Sequence, residues 1–236
     1  MPHELPDPEK SKLMKGDCGR ELLKIVERST AAFFWGNVQS RVMPSSGSAF
    51  FVKTSAALFG VTAKHVYEAF EERANHDRSM VCQLNDVAVD LRPRLISKGC
   101  DCDVATFEIL PSELSRVDRL TIPWPPYIPP VNKSVLIAGF PGLGKRFSQS
   151  GILTFGLCHA CTSISSVSDR DISMVREPDD EVADVVGKGL PPRGFDMGGM
   201  SGGPVIALLE NVGIVSWALA GVIYECGTYF ETLLSG

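Results

Sequence analysis

The most chemically suggestive segment of this 236-residue sequence is a glycine-rich turn around a serine, residues 198–204 (GGMSGGP). A serine hydroxyl becomes a nucleophile when a neighbouring base takes its proton. The flanking glycines permit a sharp turn that exposes the Ser201 hydroxyl and directs backbone N–H groups inward. The N–H groups of Gly199 and Ser201 could then bind the oxyanion of an acyl-transfer intermediate. A glycine-rich turn without chemistry, before an apolar strand, is the simpler alternative for this segment alone.

A base for that serine must come from one of four histidines, and His65 is the best placed of them. It follows the apolar run 58–63, which would anchor it at a strand end facing a cleft. An acid that orients the ring is also needed, and Asp103 directly precedes the apolar run 104–107. Asp101 is the competing acid. The remaining histidines are His3, His76 and His159.

The elements that must position these residues are predicted to be mostly strands. One short amphipathic helix is expected over residues 18–28, because its apolar positions recur at helical spacing. After it come about twelve short apolar or alternating runs bounded by turn residues, which favours an all-β sandwich or barrel. These runs are 31–36, 49–53, 58–62, 80–84, 87–91, 104–109, 134–140, 151–157, 172–175, 182–186, 204–209 and 213–224.

A proline-rich segment, residues 123–130 (PWPPYIPP), divides the strands into two nearly equal groups. Proline donates no ladder hydrogen bond, so this segment cannot be a central strand and a linker is the simplest interpretation. The predicted organisation is a leader and helix over 1–29, a first barrel over 30–122, a linker over 123–133 and a second barrel over 134–236.

Composition and charge exclude several classes of protein. Apolar residues make up 44% and charged residues 22%, as in ordinary globular domains. The net charge of −5 argues against general nucleic-acid binding. The longest apolar stretch, residues 212–224, is too short to cross a bilayer. The first residues (MPHELPDPEK) do not resemble a secretory signal, so we expect a cytoplasmic protein.

Two other motifs carry alternative chemistry. Cysteine pairs at 100/102 and 158/161 could together bind zinc, or the second pair could be redox-active, although buried free thiols are the simpler interpretation. Residues 139–146 (GFPGLGKR) nearly match a phosphate-binding loop. Arg146 replaces the hydroxyl residue that would hold magnesium, and the residues after it do not predict a helix.

Three short blocks of this sequence resemble the signature blocks of trypsin-like (chymotrypsin-fold) serine peptidases, and they occur in that family's order. They are residues 62–65 (TAKH), 103–105 (DVA) and 199–204 (GMSGGP). Residues 47–52 (GSAFFV) resemble the strand before the histidine strand. Residues 135–142 (VLIAGFPG) resemble the strand that opens the second barrel in bacterial members.

The resemblance implies two six-stranded antiparallel β-barrels with the active site in the cleft between them. It also implies a serine endopeptidase that works through Ser201, His65 and Asp103, with the N–H groups of Gly199 and Ser201 as oxyanion donors. Neither a metal nor an organic cofactor is then required. A catalytically silent binding module on the same fold and an esterase-type acyl hydrolase are the alternatives.

Met200 departs from the digestive members of the family, which have an aspartate at that position. The Met form resembles intracellular bacterial members, so we expect no activation by cleavage of the N-terminus. Such peptidases resemble those found beside antiviral or cell-death effectors. The expected partners are therefore a protein or peptide substrate and a regulatory or effector protein.

The same resemblance predicts which residues form the specificity pocket. Its floor is expected near Phe195, which would favour a small or apolar substrate side chain, or at the adjacent Asp196, which would favour Arg or Lys. For its wall, residues 221–225, with Gly221 and Tyr224, have the expected spacing from the serine. Residues 215–217 (VSW) copy the family's usual tripeptide but lie closer in sequence to the serine.

Overall fold

The computed structural model describes residues 16–37, 42–149, 152–175, 197–211, 214–226 and 229–233. Strands dominate these residues, with three α-helices: α1 (Asp17–Ser29), α2 (Lys64–His76) and α3 (Pro111–Val117). The strands are β1 (Thr30–Gly36), β2 (Ser45–Lys53), β3 (Leu58–Ala63), β4 (Val81–Leu84), β5 (Val87–Val89), β6 (Leu95–Lys98), β7 (Val104–Glu108), β8 (Thr121–Pro123), β9 (Ser134–Gly139), β10 (Arg146–Phe147), β11 (Leu153–Thr154), β12 (Cys158–Val167), β13 (Asp171–Val175), β14 (Pro204–Asn211), β15 (Ile214–Cys226) and β16 (Tyr229–Leu233).

The first sheet contains β1 to β8 in the order β5-β4-β1-β2-β3-β7-β6, with β8 paired to β2. Every pairing in it is antiparallel except that between β8 and β2. The central strand β2 has six consecutive buried residues, 47–52. Because side chains alternate along a strand, Ala49 and Phe51 enter one core while Phe50 and Val52 enter another.

The second group of strands closes into a six-stranded antiparallel barrel in the order β12-β13-β16-β15-β14-β9, with β9 pairing back to β12. Its interior is apolar and includes Ile137, Val205 and Ala220. A separate two-stranded ribbon, β10 with β11, follows a single 3-10 turn at Gly142–Gly144.

Helix α1 packs where the two sheets meet. The amphipathic helix predicted over residues 18–28 is confirmed as Asp17–Ser29. Its buried residues Leu22, Leu23 and Val26 share one apolar cluster with Phe50 of the first sheet and Leu136 of the barrel. The helix therefore fills a core that belongs to both sheets.

The predicted all-β, trypsin-like double-barrel fold with a short N-terminal helix is confirmed. The first sheet differs in two respects: it has eight strands where six were expected, and among the described residues its end strands β5 and β6 do not pair with each other to close it. The two additional short strands include β8, whose last residue is Pro123, the first residue of the proline-rich segment. Proline is tolerated there because β8 lies off the main path of the sheet.

Two sequence expectations have a different outcome. The strand predicted over 182–186 lies outside the described residues. The strand predicted over 151–157 was wrong in extent, since within the described residues it is reduced to Leu153–Thr154. None of the described helices combines the length and the apolar character needed to span a bilayer.

Gly60 tests the packing of the first sheet. It pairs with Phe107 across β3 and β7, and a Cβ at position 60 would lie 2.2 Å from the buried Phe107 ring. We expect Gly60→Ala to lower the free energy of unfolding by about 1–3 kcal/mol, because the ring must leave its position. Urea unfolding followed by circular dichroism measures this change.

Gly156→Ala is the matched control, since a Cβ there would meet its nearest neighbours at 3.6 Å, an ordinary contact. Equal stability losses in the two variants would contradict this account of β3 packing.

Candidate active site

His65 and Asp103 lie beyond the paired ends of two adjacent strands. In β3 and β7 the last pair is Ala63 with Val104. The chain turns into α2 at Lys64, whose backbone N–H donates to the carbonyl of Asp103 at 3.0 Å. The sheet register therefore brings His65 and Asp103 together, although 38 positions separate them in sequence.

The two side chains make a close hydrogen bond, 2.5 Å between Nδ1 of His65 and Oδ2 of Asp103. The other carboxylate oxygen accepts the backbone N–H of His65 at 2.8 Å. Burial alone would raise the pKa of Asp103, but these two hydrogen bonds outweigh it and lower that pKa below its ordinary value. Because the carboxylate is ionised, Nδ1 is the donor and Nε2 is free to accept a proton.

The structure shows which of the two candidate acids contacts His65. Asp103 contacts His65 and is half-buried, with 23% of its side chain exposed. The competitor, Asp101, is exposed in the loop before β7.

Ser201 lies in a tight turn that leads into β14. Gly199 and Gly202 on either side have φ values of +103° and +88°, a region that glycine adopts without strain. A Cβ at Gly202 would lie 2.3 Å from the Thr62 hydroxyl and 3.0 Å from the backbone N of Ala63. The serine turn of the barrel therefore lies directly against the end of β3, two residues before His65.

The Ser201 hydroxyl donates to the backbone carbonyl of Tyr224 at 3.2 Å. Within the described part of the chain, it makes no hydrogen bond to the His65 ring. Tyr224 lines the same open cavity, of about 540 Å³, as Asp103 and Lys64. Ser201 and His65 are not among the described residues that line this cavity, so of these site groups only Asp103 and the residue that accepts the Ser201 hydrogen bond share it.

Two backbone N–H groups of the turn are available to a ligand. Among the described residues, neither the N–H of Gly199 nor that of Ser201 donates to a protein acceptor. Their neighbours in the turn are engaged: Met200 donates to the carbonyl of Met197 at 3.1 Å, and Gly202 to that of Ile223 at 2.6 Å. N–H groups two positions apart in sequence, with no acceptor among the described residues, are the donor set that an oxyanion needs.

The residues predicted to form a specificity pocket are only partly described. Gly221 and Tyr224 lie in β15 beside the serine turn, where Gly221 pairs with Val205. Trp217, from the alternative wall tripeptide, pairs with Leu208 further along the hairpin. Phe195 and Asp196 lie outside the described residues.

The alternative motifs find little support in the structure. No group of three or more metal-ligating side chains occurs among the residues that the structure describes. The loop at 139–146 leads into a 3-10 turn and the strand β10, with no helix whose N-terminus could bind phosphate. Lys145 instead donates to the backbone carbonyl of Pro44 at 2.7 Å.

Sequence reasoning missed the contribution of Ser48. This residue is fully buried in β2, yet its hydroxyl donates to the carbonyl of Gly199 at 2.9 Å. Thr62 is also fully buried, and its hydroxyl donates to the carbonyl of Ser48 at 2.7 Å. Both residues lie in blocks with a family resemblance, but a sequence pattern does not show where a buried hydroxyl points.

No protein-family model and no curated protein matches the sequence. Among solved structures, the active form of the Rv3671c protease from M. tuberculosis superposes with a TM-score of 0.53 at 13% identity, over 98% of this chain and 84% of that chain.

Two further structures are similar at lower scores. The serine protease domain of the Sesbania mosaic virus polyprotein gives a TM-score of 0.44 at 13% identity, over 86% of each chain. A thermostable serine protease, AL20, from an extremophilic microorganism gives 0.46 at 15% identity, over 87% of this chain and 90% of that chain. At 13% identity the likeness to the Rv3671c protease shows the fold alone, which is the chymotrypsin fold.

The His65–Asp103 contact predicts a specific acid sensitivity. A carboxylate whose pKa is lowered on folding stabilises the protein above its unfolded-state pKa, and this stabilisation is lost as the pH falls through the folded-state pKa. We therefore expect the stabilisation of wild type over Asp103→Asn to be present at about pH 5 and to shrink as the pH falls below about pH 4. Urea unfolding at a series of pH values measures it.

Asp101→Asn removes an exposed carboxylate from the same loop. If it reproduces the pH dependence of Asp103→Asn, the stabilisation does not come from the contact with His65.

Proposed function

We propose that this protein is a serine endopeptidase that hydrolyses peptide bonds through an acyl-enzyme intermediate. The observation that carries the proposal is the position of the serine turn against the end of β3, next to the hydrogen-bonded pair of His65 and Asp103. This turn has two N–H groups with no protein acceptor among the described residues. This is the set of groups that acyl transfer requires: a nucleophile, a base, an orienting acid and an oxyanion site.

In the proposed reaction, Ser201 Oγ attacks the substrate carbonyl carbon while Nε2 of His65 takes the hydroxyl proton. The carbonyl oxygen becomes an oxyanion that accepts hydrogen bonds from the N–H groups of Gly199 and Ser201. His65 then returns the proton to the leaving amine, and an ester to Ser201 is left. Water hydrolyses this ester by the same steps, and Asp103 keeps Nδ1 protonated throughout.

The hydrogen bond from Ser201 to Tyr224 supports a resting arrangement in which the nucleophile is turned away from its base. A bound substrate whose backbone donates to the Tyr224 carbonyl would displace the serine hydroxyl and make it available to His65. Catalytic hydrogen bonds are often long or poorly aligned in the free enzyme and tighten only when substrate binds.

The same hydrogen bond favours one alternative, a binding module on this fold that performs no chemistry. Labelling of the serine discriminates between the two, because a silent module does not activate its hydroxyl.

We propose that the substrate is a protein or peptide within the cell, since the Met200 form of the turn resembles that of intracellular members. The pocket residues proposed from the resemblance are Phe195, Asp196, Gly221 and Tyr224.

We expect a fluorophosphonate probe to label Ser201 covalently at neutral pH, because an activated serine attacks its phosphorus and displaces fluoride. The negative charge that builds on the phosphoryl oxygen during this step would be stabilised by the oxyanion site. Ser201→Ala and His65→Ala should not be labelled. Asp103→Asn should be labelled roughly 10³- to 10⁴-fold more slowly, because the ring loses its orienting acceptor. Intact-mass spectrometry and peptide mapping measure the extent and position of labelling.

His76→Ala is a matched control for loss of an imidazole. His76 ends α2 and its Nδ1 contacts the carbonyl of Glu72, outside the cavity. Labelling of wild type that survives in Ser201→Ala, or that is lost equally in His76→Ala, would refute the proposed roles.

A peptide library should be cleaved by wild type and not by Ser201→Ala, with products that identify the residue before the cut bond. Asp196 at the pocket floor predicts cleavage after Arg or Lys, and Phe195 there predicts cleavage after small or apolar residues. Mass spectrometry of the products distinguishes them. Turnover of esters with no peptide cleavage would favour the esterase alternative.

A further inference from the structure

In the serine turn, four successive backbone carbonyls, those of residues 198 to 201, each accept a hydrogen bond. The carbonyls of Gly198 and Met200 accept from Gly142 at 2.6 Å and from Gly203 at 2.9 Å, respectively. In a trans peptide the N–H points away from its carbonyl, so these two bonds direct the N–H groups of Gly199 and Ser201 to the opposite side.

The other two carbonyls of the turn both accept from one residue of the first sheet, Ser48. Its hydroxyl donates to the carbonyl of Gly199 at 2.9 Å, and its backbone N–H donates to the carbonyl of Ser201 at 2.9 Å. Ser48 therefore brackets the nucleophile, holding the peptide group before Met200 and the peptide group after Ser201.

The direction of the Ser48 hydroxyl is itself fixed. Its oxygen accepts the backbone N–H of Phe140, at the end of β9, at 2.8 Å. A hydroxyl has one proton to donate, and with this lone pair occupied the proton is committed to Gly199. The side chain is completely buried, so water cannot replace either bond.

We infer that Ser48 is a positioning residue: its hydroxyl holds the peptide group between Gly199 and Met200, and so limits rotation of the two neighbouring N–H groups, those of Gly199 and Ser201, that would bind the developing oxyanion. The inference rests on the proposed function. Gly199, at φ +103°, tolerates a wide range of backbone angles and gives the turn little stiffness of its own. Loss of the hydroxyl leaves the carbonyl of Gly199 without its donor, and rotation of that peptide group moves both neighbouring N–H groups.

The consequence is a specific loss in the chemical step. Oxyanion donors act in the transition state more than in substrate binding, so their misplacement lowers kcat with little change in KM. We expect Ser48→Ala to be labelled by the fluorophosphonate roughly 10- to 100-fold more slowly than wild type, with a similar fall in kcat on a peptide substrate and KM within about threefold.

Thr30→Val is the matched control for loss of a buried hydroxyl. Thr30 is fully buried, and its hydroxyl donates to the carbonyl of Val26 at 2.7 Å, where α1 meets β1. Its melting temperature should fall, whereas labelling of Ser201 should stay within about twofold of wild type. Equal slowing in the two variants would mean that Ser48 contributes only to stability, which would overturn the inference.

Ser48→Cys covers the case in which Ser48→Ala does not fold. It keeps the shape of the side chain but replaces the hydroxyl with a weak donor. We expect labelling of the folded protein to be roughly fivefold slower or more. Circular dichroism measures the folded fraction, and intact mass measures the labelling. Wild-type labelling rates in a folded Ser48 variant, or a rise in KM alone, overturn the inference and leave the proposed function standing. No labelling of wild type itself refutes the proposed function and this inference with it.

Discussion

The candidate site depends on close contact between the backbones of the two sheets. A Cβ at Gly202 would lie 2.0 Å from the carbonyl oxygen of Ser48, and one at Gly203 would lie 1.9 Å from that of Ala138. These positions exclude every side chain, because backbone atoms cannot move aside as a flexible side chain can. The serine turn thereby packs against Ser48 within β2 of the first sheet and against Ala138 of β9 in its own barrel. The contact with Ser48 limits where Ser201 can lie relative to the first sheet.

Such a contact needs a rigid base, and the apolar cluster between the sheets provides it. Phe50 and Val52 from β2 pack with Leu136 from β9 and Ile206 from β14, and α1 covers them with Leu23. All five side chains are at most 2% exposed. The hydrophobic effect, which stabilises each sheet, also stabilises the position of one sheet relative to the other through this cluster. The site geometry therefore depends on the packing of the fold.

Sequence patterns predicted the fold class and α1 because apolar periodicity reports burial directly. They missed β12 (Cys158–Val167), which is rich in polar residues and mostly half-buried or exposed, so it carries little apolar periodicity. They also missed Ser48, which is polar yet fully buried. The roles of Ser201, His65 and Asp103 were predicted from blocks of resemblance, and the structure adds the contact between the last two. The acceptor of the Ser201 hydroxyl could not be predicted, since it depends on which strand lies beside the turn.

The division of the groups between the sheets has an electrostatic consequence. His65 and Asp103 belong to one sheet, so the register of β3 with β7 sets their hydrogen bond whether or not a substrate is present. Ser201 belongs to the barrel, and its hydroxyl lies on the Tyr224 carbonyl, a neutral acceptor that leaves the oxygen weakly nucleophilic. In the proposed enzyme, the base is thus preorganised, whereas the serine hydroxyl can donate either to the Tyr224 carbonyl or to His65. In the proposed enzyme, occupancy of the Tyr224 carbonyl by substrate backbone would decide between them, so that binding of a peptide and activation of the serine become one event.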